Sequence, residues 1–142
     1  MYKKILVALE NGPADKRMLP PIAQLAVHLG SELLLLHVAD GWAARSYDQL
    51  KLAESEEIKN DRAYLETTAK SLRLKKLTVT IRLAMGNPPT EILKIAEAEK
   101  CNLIAMTSHG HRFFGDLFHG STITEVRHRT HIPIFLVRAE KT

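Results

Sequence analysis

The chain has 142 residues, 45% of them hydrophobic and 25% charged, and a formal net charge of +4 at pH 7. That length suits a single domain, residues 1–142, with enough chain to bury a sizeable core. No stretch approaches the roughly 18 apolar residues a membrane span requires, and the mild charge, without interleaved aromatics, argues against a nucleic-acid partner. A single cysteine, Cys101, excludes an intrachain disulfide and fits a reducing cytoplasm. Met1 to Lys4 leads straight into a strand and lacks the apolar core of a signal peptide, so a cytoplasmic location is expected.

In chain order, Lys3 to Leu9 (KKILVAL) reads as a buried strand and Glu10-Asn11-Gly12-Pro13 as a turn. Met18, Ile22, Leu25, Ala26 and Leu29 recur at helical spacing up to Gly30, a stop signal. Pro20-Pro21 fits the first turn of a helix but not its interior, so this helix is expected to start near Leu19. Glu32 to Val38 holds the continuous apolar run of a central parallel strand, with His37 at the edge of the core. From about Gln49 to Leu72 a long helix is predicted, with Ile58, Leu65, Ala69 and Leu72 on its packed face. Leu77 to Ala84 alternates like a strand. Asn87 then caps a helix whose first residue is Pro88.

Leu103 to Met106 is a fourth, fully apolar strand, and Pro133 to Val137 a fifth, with proline tolerated at its start. Arg127, His128, Arg129 and His131 gather at the end of the last helix, where cations complement the helix dipole. Five strands alternating with helices predict an α/β fold, an open five-stranded parallel sheet with helices on both faces.

The chemistry concentrates between Asn102 and Val126. The fourth strand passes into Thr107-Ser108-His109-Gly110, and after nine intervening residues a helix pattern opens at Gly120-Ser121-Thr122. Strand, glycine loop and helix start form the arrangement a phosphate site requires in such a sheet. Gly110 lets backbone approach a ligand closely. Gly120, Ser121 and Thr122 sit where unpaired N–H groups and a partial positive charge face outward.

This spacing resembles the nucleotide loop of the universal stress protein family, G-x-x-G, nine residues, then G-[S/T]. Gly110, Gly120 and Ser121 match, His109 fits the family's S-H-G, and Thr107 replaces the first glycine. The resemblance spans the whole chain. It implies a Rossmann-like sheet of the adenine nucleotide alpha hydrolase type, strand order 3-2-1-4-5, with a crevice between strands 1 and 4. It further implies ATP or another adenine nucleotide, with magnesium arriving on the phosphates. Adenine and ribose would lie by Ala8, Leu9, Glu10, Val38, Met106 and Thr107. The phosphates would rest on Gly110, Gly120, Ser121 and Thr122, with Ser108, His109 and His111 nearby. Glu10 stands where the family carries aspartate. The family commonly forms homodimers through the last strand, here Ile134, Phe135, Leu136 and Val137.

Other motifs are set aside. Gly110 to Gly115 has Walker spacing, but Asp116-Leu117 replaces the Lys-Ser/Thr pair, and neither G-x-G-x-x-G nor G-x-S-x-G occurs. His109, His111 and His119 lie close in sequence, yet no protein-bound metal is expected. Phe113, Phe114 and Phe118 read as pins for the loop or as a partner-facing patch. No residue near Ser121 looks like a dedicated base, so no catalytic residue is named. Two alternatives to a nucleotide-binding stress-response module stay open: the same fold without a ligand, favoured by Thr107 and Glu10, and a slow ATPase.

Overall fold

Apolar residues occupy both faces of the inner strands, and helices cover both faces for that reason. The computed structural model describes residues 1–40, 47–108 and 120–139. Within them the elements run β1 (Lys4–Ala8), α1 (Asp15–Leu29), β2 (Glu32–Asp40), α2 (Tyr47–Arg73), β3 (Val79–Gly86), α3 (Pro88–Ala98), β4 (Leu103–Ser108), α4 (Gly120–Arg129) and β5 (Ile134–Arg138). The strands form one parallel sheet in the order β3-β2-β1-β4-β5. The order implied by the resemblance is therefore the order found.

The period of two along β1 splits the core in two. Ile5, Val7 and Leu9 pack with Leu33 and Leu35 against Met18, Ile22 and Ala26 of α1 and Leu65, Ala69 and Leu72 of α2. Leu6, Ala8, Leu34, Leu36 and Val38 point the other way, against Ile92, Leu93 and Ala96 of α3 and Val126 of α4. Each such leucine, isoleucine or valine contributes roughly 1.5–3 kcal/mol by leaving water.

Helix α1 starts earlier than the sequence suggests. It runs from Asp15 and keeps Pro20 and Pro21 in its interior. The start is secured by tight bonds, Asp15 N to Gly12 O at 3.1 Å, Lys16 N to Pro13 O at 3.2 Å and Arg17 N to Ala14 O at 3.0 Å. Met18 and Ile22, both fully buried, bracket the prolines, so packing outweighs the two missing amide donors. At the other end Gly30 adopts φ 69°, the left-handed cap that a side chain would resist. The cap of α3 is as expected, with Asn87 Oδ1 accepting from Thr90 N at 3.2 Å.

The chain moves outward from β1 to β2 and β3, then crosses back to place β4 on the other flank of β1. Ile5, Leu6 and Val7 pair with Leu103, Ile104 and Ala105. Strand order reverses between these two strands, so their carboxyl ends diverge around a crevice. No helix among the described residues is long and apolar enough to cross a membrane.

Candidate functional site

The crevice is built from the turn after β1 and the end of β4. Leu9 N still donates to Leu36 O at 2.8 Å, and the chain then leaves the sheet. Asn11 adopts a left-handed φ of 61°, which asparagine tolerates, and this folds the turn back toward α1. Glu10 is thereby carried to the end of β4. Thr107, on β4 and fully buried, donates from Oγ1 to Glu10 Oε2 at 2.9 Å. The turn after β1 and the end of β4 thus meet through these two side chains.

The turn is anchored from behind by the Asp15 carboxylate, itself fully buried. Its Oδ1 accepts from Glu10 N at 3.0 Å and its Oδ2 from Asn11 N at 2.9 Å, while Tyr64 of α2 donates its hydroxyl to the same Oδ2. A buried carboxylate persists only when so satisfied. Burial and the adjacent Asp15 carboxylate push the Tyr64 phenol well above its ordinary range. Asn11 Nδ2 reaches on to Asp61 Oδ1 at 2.8 Å. Asp61 Oδ2 lies 3.3 Å from His37 Nε2, and His37 Nδ1 lies 2.9 Å from Leu9 O.

Of the residues assigned to the site from sequence, Ala8, Leu9, Val38 and Met106 are fully buried, and their side chains belong to the two core clusters. Their side chains are committed to packing. Ser108 ends β4, with its carbonyl accepting from Ala139 N at 2.9 Å. Gly120 and Ser121 open α4, and Thr122 beside them is buried. The arrangement of a strand end at Ser108 and a helix start at Gly120 is therefore present. His109, Gly110 and His111 lie outside the described residues, as do Phe113, Phe114, Phe118 and His119. Among the described residues no cluster of three or more histidine, cysteine or acidic side chains is disposed to hold a metal.

Sequence reasoning missed Asp15, Asp61 and Tyr64. Asp61 left a readable signal: it lies between Ile58 and Leu65 on the packed stripe of α2, where an acid is out of place unless partnered. Asp15 was obscured by the late helix start. A groove of about 570 Å³ opens between α1 and α2, lined by Asn11, Lys16, Tyr64, Thr68, Ser71 and Lys75 among others. Neither Glu10 nor Thr107 lines it.

The sequence matches the Universal stress protein family over residues 1–138. Universal stress protein MJ0577 of Methanocaldococcus jannaschii is 26% identical over an alignment of 162 residues that covers 100% of this chain and 98% of that protein. The solved structure of MJ0577 superposes with a TM-score of 0.76, covering 100% of this chain and 99% of the other. The universal stress protein of Archaeoglobus fulgidus, solved in complex with dAMP, shares the fold at 21% identity with a TM-score of 0.71, covering 96% and 98% of the two chains. A universal stress protein solved in complex with cAMP does so at 14% identity and 0.69, covering 98% of each chain. With the family match running from the first residue to Arg138 and the strand order in place, this chain belongs to the universal stress protein family.

Proposed function

We propose that the crevice between β1 and β4 binds an adenine nucleotide, ATP in the first instance, and that the protein acts as a nucleotide-responsive module of the stress response. The observation that carries this reading is the meeting of Glu10 and Thr107 at the switch point, 2.9 Å apart, with the helix that follows β4 opening at Gly120. Backbone at Ala8, Leu9, Val38 and Met106 would border the adenine. Glu10 would lie by the ribose, as an acceptor for its hydroxyls. The N–H groups of Gly120, Ser121 and Thr122, with Gly110 of the intervening loop, would take the phosphates. Magnesium would be held by the phosphates and water rather than by a protein cage. The dAMP and cAMP complexes of related proteins support an adenine ligand.

A second reading is favoured by the same hydrogen bond. Thr107 spends its hydroxyl on Glu10, and a side chain stands where the family pattern has glycine, so the fold would serve as an interaction module without a ligand. Calorimetric titration with ATP, with and without magnesium, after testing denatured protein for co-purified nucleotide, separates the two. Micromolar binding abolished by Gly120→Val supports the nucleotide reading. An empty site and no heat leave the interaction module. Turnover assayed beside the same variant tests slow hydrolysis.

We also infer a homodimer through the free edge of β5 and a cytoplasmic site of action. The apolar run Ile134 to Val137 and the single buried thiol support these readings.

A further inference from the structure

Helices α1 and α2 pack on the same core cluster, yet a trough runs between them. Lys16, Leu19 and Pro20 wall it on α1, and Tyr64, Thr68 and Ser71 on α2. Steps of three and four place each set on one stripe of its helix. A second hollow of about 330 Å³ continues along α1 past Ala23, Gln24, Val27 and His28. Lys75, in the turn after α2, lines both hollows, so the two form one trough. It borders the far end of the α1 stripe and closes that of α2, so the two stripes run in the same direction. From Lys16 to His28 the rise along α1 is about 18 Å, roughly three helical turns.

The floor of the trough is apolar and its rims are cationic. Leu72 is buried at the bottom, Leu19 and Tyr64 are half-buried, and Val27 is 58% exposed. Proline disfavours a helix interior, and Pro20 is exposed there, so its ring serves the trough rather than the core. Lys16 and Lys75 are both exposed, and among the described residues neither enters an ion pair. Among the described residues no acidic side chain lines either hollow.

We propose that the trough docks a partner protein through an acidic amphipathic helix of about three turns, its apolar side chains on the floor and its carboxylates at Lys16 and Lys75. Such a helix enters a groove by anchors at i, i+3, i+4 and i+7, which is the spacing both walls present. The unpaired lysines select an acidic helix over a neutral or basic one. A second copy of this chain is a poor occupant, since it brings the same lysines and a net charge of +4. None of the lining residues belongs to the proposed nucleotide site, so docking stands whether or not the crevice takes a nucleotide.

The test titrates the intact protein with a synthetic helical peptide of about 16 residues, leucines along one face at the anchor spacing and glutamates along both edges of that face. Saturable binding is expected, with amide shifts concentrated at Leu19, Val27, Thr68 and Ser71. K16E combined with K75E is expected to weaken it about tenfold, the size of two exposed ion pairs, and to prefer a peptide edged with lysine. Both lysines are exposed, so the double variant should keep the wild-type urea midpoint. Absence of saturable binding overturns the proposal, as does equal affinity for the two peptides or a shift map centred elsewhere. Phosphatidylglycerol vesicles that shift these residues where the peptide does not would overturn it in favour of a membrane surface. Shifts that follow protein concentration alone would overturn it in favour of a second copy.

Discussion

Thr107 Oγ1 donates to Glu10 Oε2 at 2.9 Å, across 97 residues of sequence and from one side of the crevice to the other. Threonine and glutamate stand here where the loop pattern carried by the resemblance has glycine and aspartate. The departures are complementary. A glycine offers no donor, and an aspartate is one methylene shorter on the side that must reach. The pair joins the turn after β1 to the end of β4 by a contact that a glycine at position 107 would remove.

Reverting both positions tests whether that contact restricts the ligand. Thr107→Gly with Glu10→Asp is expected to bind ATP about tenfold more tightly than the wild type, because a hydrogen bond to a charged acceptor no longer has to open. Calorimetry on the double variant and both single ones reads it. Affinity unchanged in the double variant would mean that the contact does not gate the site.

The same pair has a stability signature. Thr107→Val removes the hydroxyl without changing shape much, and is expected to cost about 1–3 kcal/mol, since a part-buried carboxylate loses a donor. In the background of Glu10→Ala that cost should shrink, because neighbours that share a bond are not additive. Urea midpoints of the four proteins complete the cycle. Additive losses would place the two side chains in separate environments.

Asp15 gathers two backbone amides and a phenol in full burial. Asp15→Asn is expected to destabilise the fold by roughly 2–4 kcal/mol, because an amide nitrogen would face donors. Tyr64→Phe gives the alkaline arm of the same contact. The phenol is pushed above its ordinary value of about 10 in the folded protein, first by burial and then by Asp15. Stability from this group is therefore complete below about pH 10 and is lost as pH rises beyond it, when the unfolded chain ionises first. Tyr64→Phe should be less stable than the wild type near neutrality and lose less on going alkaline. Parallel pH profiles for the two proteins would exclude the contact as a source of stability.

The pattern of strands and helices was legible because it rests on apolar periods: the four leucines from Leu33 to Leu36, in a short run bounded by turns, are typical of a doubly covered strand. The start of α1 was not legible, because local rules at Pro20-Pro21 point one way and the packing of Met18 and Ile22 points the other. The loop anchors at Ser108 and Gly120 could be placed from spacing. The cluster of Asp15, His37, Asp61 and Tyr64 could not be assembled from sequence, since it joins residues of α1, β2 and α2 that share no motif. Asp61 within an apolar stripe was the one visible trace.

Cys101 reports on the integrity of the corner between α3 and β4. It is buried, its amide donates to Ala96 O at 2.8 Å, and burial raises its thiol to about 11, with Glu99 and Glu32 adding to the rise and Lys4 opposing it. Only about one molecule in ten thousand carries the thiolate at neutral pH. Alkylation of the native protein is therefore expected to be orders of magnitude slower than that of the urea-unfolded chain. Comparable rates would show that this corner opens in the native state.

The free edge of β5 supplies the last test. Phe135 and Val137 pack partly against the cluster beneath α1 and α2, so charging Phe135 would disturb the core as well as any interface. Leu136 is the cleaner probe: it is 44% exposed and belongs to neither core cluster. In a two-fold pairing of identical edges, a residue on one strand returns on the other, so Leu136→Lys brings like charges together where two leucines would bury apolar area. The variant is expected to keep the wild-type urea midpoint of its folded subunit and to run as a monomer by light scattering, where the wild type is expected to run as a dimer. A Leu136→Lys protein that stays dimeric at the same concentration would place the subunit contact elsewhere, and a monomeric wild type would remove it.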